Sequence, residues 1–142
     1  MIARTSDETG SLTLELVVLA PAVLLLLGLV IAGGRAAIAS QAVAQAASQA
    51  AREASLQSTP AAAASTARSR VESVLAGQDL QCEPASVSVD ARALSSRPGT
   101  PGKVTVTVGC SVPWSDLGIP GAPGSRSLTS TGTAPIDTWT TR

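Results

Sequence analysis

The chain has 142 residues, enough for one small folded unit beside a membrane segment, and its ten basic and ten acidic side chains cancel to a formal net charge of zero. It contains no histidine, tyrosine or phenylalanine, so the commonest general base and the commonest transition-metal ligand are missing, and two cysteines fall short of a four-ligand zinc site. Lys103 is the sole lysine and no basic cluster exceeds Arg68 with Arg70, which excludes the grouped cations that nucleic-acid binding requires. Neither a cofactor nor a nucleic-acid partner is expected.

Residues 1–10 form a short polar leader that ends at Gly10. From Leu16 to Gly34 no residue carries a charge. About 20 residues of helix cross a hydrocarbon core of roughly 30 Å, so 11–34 is predicted to be a single membrane crossing. The run exceeds the 7–15 residues, roughly, of a secretory apolar region. Ala37-Ile38-Ala39 offers an alternative signal-peptidase site, although helix-forming residues continue straight through it. Pro21 removes one backbone donor inside the run and is expected to bend the helix, a change that membrane helices tolerate. Arg4 precedes the span and Arg35 follows it, so the distribution of positive charge barely orients it.

Beyond Arg35 the sequence is rich in Ala, Ser and Gln, with no Gly or Pro until Pro60, and 35–58 is predicted to be a helical stalk continuous with the span. A helix from Ser11 to Ser58 would be about 70 Å long, leaving a stalk comparable to the roughly 30 Å in the bilayer. Alanine lets helix backbones approach closely. Two uses stay open: packing against identical or related helices, or packing on the chain's own small domain. Pro60 opens a second short helix, 61–77, with Val71, Val74 and Leu75 at helical spacing and Gly77 as its expected C-cap.

Past Gly77 the period changes to two. Val87 and Val89 alternate with serines; Val104, Val106 and Val108 alternate with threonines and lead to Cys110 and Val112; a third Thr-rich run extends from Ser127 to about Ile136. Pro-Gly clusters separate the runs. Residues 78–142 are therefore predicted to be a small β-domain built on a three-stranded antiparallel meander, with a frayed polar end from Asp137 to Arg142. The fold class is α+β: a long membrane-spanning helix continuing into an Ala-rich stalk, a second short helix and a small sheet.

Cys82 precedes the first strand and Cys110 ends the second, and antiparallel pairing would bring both to one end of the sheet. A domain of this size has a thin core, and a bond closing this loop would contribute on the order of 3–4 kcal/mol. A disulfide implies an oxidising compartment and so an exported C-terminal part. The competing reading is two free thiols in a reducing one.

Glu15 alone would be an interfacial carboxylate. A cut after Gly10 changes its meaning, because Ser11 would then carry a free ammonium at the head of the membrane helix. In a bundle, Glu15 of one subunit could pair with the Ser11 ammonium of its neighbour, offsetting the cost of each charge and setting the axial stagger. Gly10 suits a protease that needs an extended residue without a side chain before the cut.

The segment Gly10-Ser11-Leu12-Thr13-Leu14-Glu15-Leu16-Val17-Val18-Leu19-Ala20-Pro21 resembles the start of TadE-like proteins, minor pseudopilins of the tight-adherence (Flp-type) pilus system. The resemblance extends to the Leu-rich run, the stalk segment Ala50-Ala51-Arg52-Glu53-Ala54 and the Val104–Val108 strand, and it implies a pilin-like fold. It further implies processing by a membrane prepilin peptidase, with Gly10 and Glu15 recognised, and a part in assembling a surface pilus. The implied partners are membrane lipid, other Tad/Flp pilus subunits and assembly-platform proteins. The leader departs in having only Arg4 as a basic residue, and Leu16 stands where relatives commonly have an aromatic. The alternative is an uncleaved, single-pass anchored β-domain that binds a partner at the cell surface. An enzyme is not expected: Asp90, Asp116 and Asp137 form no recognisable constellation with the serines, and Trp114 and Trp139 suit packing.

Overall fold

The computed structural model describes residues 8–78, 82, 86–97, 99–115, 121 and 123–137. Helix α1 runs from Glu8 to Ser55 and contains Pro21 without interruption. Its last turn is closed by Gln57, whose backbone N–H donates to the Ala54 carbonyl (3.2 Å) and whose side-chain amide donates to the Glu53 carbonyl (3.3 Å). These bonds satisfy carbonyls that a helix end leaves without partners.

Helix α2 follows at Pro60–Gly77. Thr59 caps it: its backbone is extended and its hydroxyl accepts from the Ala62 N–H at 3.2 Å, with Pro60 in the first turn, where a missing N–H costs nothing. The expected C-cap at Gly77 is corrected by one residue. Gly77 is the last helical residue, and Gln78 is the cap, donating to the Leu75 carbonyl at 3.1 Å. No left-handed residue is used at this end, so the glycine is not required there.

Strands β1 (Ser86–Asp90), β2 (Lys103–Pro113) and β3 (Ser125–Pro135) form one antiparallel sheet in the order β1-β2-β3. A 3-10 turn at Arg92–Ser95 lies between the first two and buries Leu94. Val89 pairs with Val106, and Val106 with Gly132; Cys110 pairs with Leu128. Along β2 every second residue, from Val104 to Val112, is buried. The intervening threonines turn outward, where the hydroxyls of Thr107 and Thr131 lie 3.1 Å apart. This period-two pattern is the one the sequence displays.

The core lies between the inner sheet face, α2 and the C-terminal third of α1. From α1 it takes Ala39, Val43, Ala46, Ala47, Ala50, Ala51 and Ala54, a stripe at helical spacing. From α2 it takes Ala63, Ala67, Val71 and Leu75. Of the two open uses of the alanine stripe, the structure shows packing on the chain's own domain. Burial on α1 begins at Ala39, so only residues 35–38 separate the apolar run from the packed domain, and Ala36 is already half-buried.

Gly132 explains how closely α1 lies on β3. A Cβ at this position would fall on the backbone carbonyl of Ala47. Alanine on the helix and glycine on the strand together allow near backbone contact, which larger side chains on either element would prevent.

Candidate processing and assembly site on the N-terminal helix

The backbone of Gly10 and Ser11 is helical, in the first turn of α1. Ser11 and Glu15 are four residues apart on one helix, hence on one face and about one turn apart. The Glu15 side chain is exposed.

From Leu16 to Ile31 the large apolar side chains are exposed, Leu25 at 75% and Val18 at 72%. This is the one helix among the described residues long and apolar enough to cross a membrane, by length and composition. Residues 15–35 would extend about 30 Å, the thickness of a hydrocarbon core.

Where α1 meets α2 the alanine packing is joined by polar contacts. Arg70 Nη2 donates to Gln49 Oε1 at 2.9 Å, and Arg70 Nε lies 3.1 Å from Glu53 Oε1, as an ion pair rather than an aligned hydrogen bond. Both side chains are about two-fifths exposed, so the pair fixes helix phase more than it adds stability. Ser65, Thr66, Ser69 and Ser73 line the shallow groove beside it.

Cys82 and Cys110 are bonded, with Cα atoms 5.0 Å apart. Cys110 lies within β2, three residues before its end, and not at its terminus as the sequence indicates. The bond ties the segment after α2 to the middle strand.

The acidic candidates do not converge. Asp90 accepts from Arg92 Nε at 3.0 Å and from Nη2 at 2.7 Å, a bidentate surface pair, and the guanidinium holds its carboxyl down at about 2. Asp137 is exposed just beyond β3, and Asp116 and Trp139 lie outside the described residues. No group of three His, Cys, Asp or Glu able to hold a metal ion occurs among the described residues. Two structural roles are absent from the sequence reading: that of Gly132, whose signal is a lone glycine inside a Thr-rich strand, and that of Arg70, named there only as half of a basic pair.

The structure therefore defines a class: a small α+β domain mounted on a single long helix whose N-terminal part is apolar on every side. Residues 10–52 match the model of the TadE-like protein family, the family that the chain's N-terminal third resembles. The match covers less than a third of the 142-residue chain, ends inside the buried part of α1, and suggests a structural, Tad pilus-related protein. No curated protein and no solved structure shows significant similarity to the chain.

Proposed function

We propose that this chain is a minor pseudopilin of a Tad/Flp-type pilus, held in the cell membrane by α1, with its N-terminus cytoplasmic and its α+β domain outside. Prepilin peptidase cuts after Gly10, and the new Ser11 ammonium pairs with Glu15 of a neighbouring subunit. The single observation that carries this reading is a coincidence of limits. The family match begins at Gly10, at the head of α1, and runs through the exposed apolar span into the helix face that supports the domain. The Cys82–Cys110 bond supports an oxidising location for the domain. Other pilus subunits and assembly-platform proteins are its partners in this reading.

The helical backbone at Gly10 favours a second reading, an uncleaved single-pass anchor whose domain binds a partner at the cell surface. Intact-mass measurement and N-terminal sequencing of the membrane form, with and without a prepilin peptidase, decide between them. A mature chain beginning at Ser11 supports the pseudopilin; one retaining Met1 supports the anchor; one beginning near Ser40 refutes both. Gly10→Val blocks the cut, whereas Glu15→Ala chiefly impairs assembly. Normal assembly of both variants would overturn the pairing.

A further inference from the structure

We propose that the β2–β3 hairpin end turns back along α1 toward the apolar span and rests Trp114 in the headgroup layer of the same bilayer that holds the helix. The proposal rests on the anchored reading of α1 and adds a second membrane contact to it.

The direction of the sheet follows from chain length. Helix α2 returns antiparallel along α1, with Arg70 beside Gln49 and Glu53, so Gly77 and Gln78 lie at the span side of the domain. Cys82 is four residues past Gln78 and can be at most about 14 Å from it. Cys110 is 5.0 Å from Cys82, so the Cys110 end of β2 is held near the span side too. The opposite sheet direction would carry Cys110 away from Gln78 along α1, and the tether would have to be drawn out to nearly its full length.

The reach follows from the register. Gly132 lies against Ala47, and Val106 is its partner in β2. The eight residue steps from Val106 along β2 to Trp114, one residue past the strand end, extend at most about 26 Å, and the twelve helical residues from Ala47 back to Arg35 rise about 18 Å. A strand tilted to the helix by as much as roughly 45° therefore still brings Trp114 level with Arg35, at the end of the apolar run. Burial agrees. Val112, near the strand end, is fully buried, and on α1 burial reaches down to Ala39, with Ala36 packed against the core.

The chemistry at this end suits an interface. The Trp114 backbone N–H donates to the Gly124 carbonyl at 3.3 Å, and the half-buried indole lies beside Gly124, near enough that a Cβ there would be in ordinary contact with it. Arg126 is exposed on β3 opposite Val112, and Arg35 is exposed on α1. A half-buried tryptophan packed against the core, with exposed arginines on the neighbouring strand and on α1, has the residue types of the headgroup layer, where indoles and cations gather.

The test uses the full chain carrying Trp139→Phe, so that Trp114 is the sole tryptophan, reconstituted into phosphatidylcholine vesicles. Vesicle flotation and circular dichroism accompany the fluorescence. We expect a blue-shifted emission that is strongly quenched by lipids brominated near the headgroup end of the acyl chain, and weakly by lipids brominated near its terminus. A chain that floats and is folded, yet whose Trp114 is unquenched by either lipid, overturns the hairpin contact while leaving the anchor intact. A chain that does not float overturns the anchor and the contact together.

Discussion

The two ends of α1 obey opposite rules. Between Leu16 and Ile31 large apolar side chains are exposed, whereas between Ala39 and Ala54 the small alanines of one face are almost fully buried. One continuous helix thus carries two kinds of surface. Hydrocarbon rewards bulky side chains on every face, and a thin protein core rewards small ones on a single face, because closeness of backbones replaces side-chain volume. Burial here is a matter of distance more than of hydrophobicity.

The comparison can be broken at the domain end first. Loss of the disulfide in Cys82→Ser/Cys110→Ser should have the largest effect, about 3–4 kcal/mol of domain stability, read from urea unfolding of the full chain in detergent. Gly132→Val comes next. Its Cβ has no space against the Ala47 backbone, so a loss of about 3 kcal/mol is expected in the same assay; wild-type stability would show that α1 lies further from the sheet.

A matched pair then sharpens the contrast. Val43→Ala should cost about 2 kcal/mol, while Leu25→Ala, a larger deletion at an exposed site, should leave domain stability within about 0.5 kcal/mol. Equal costs would erase the distinction between the two ends.

The smallest effect belongs to Asp90. Its folded value is held below the ordinary one by Arg92, so its contribution is present above the ordinary carboxylate range and fades as pH falls through about 2. An NMR titration of the carboxyl carbon should give a midpoint near that value, and Arg92→Ala should move it up to the usual range. Because the pair is on the surface, stability near neutral pH should hardly change.

Much of the architecture is legible in the chain because period and punctuation agree: valine alternation writes β2, and Pro60 marks the break between helices. Helix ends are harder to read. Thr59 is one of many Ser and Thr residues, and only the backbone turn at that point makes it a cap. The 3-10 turn at Arg92–Ser95 is shorter than any periodicity can reveal, although an Asp two residues ahead of its first residue is the kind of side chain that holds such a turn. The alanine stripe shows that something approaches α1 closely without naming the partner. Gly132 names it, but only once the register places that glycine opposite Ala47. At the other end of the helix, the Gly10–Glu15 spacing is readable as a motif and the family match begins with it. What the helix adds is phase, putting Ser11 and Glu15 on one face.

The continuity of α1 through residues 35–38 makes it a rigid shaft with an indexed head. Each residue of helix contributes about 100° of rotation and 1.5 Å of rise. The azimuth of the domain is therefore fixed by the rotation of the apolar part of the same helix. Inserting one alanine after Gly34 would lift the domain barely at all, yet swing its sheet more than a quarter turn about the shaft.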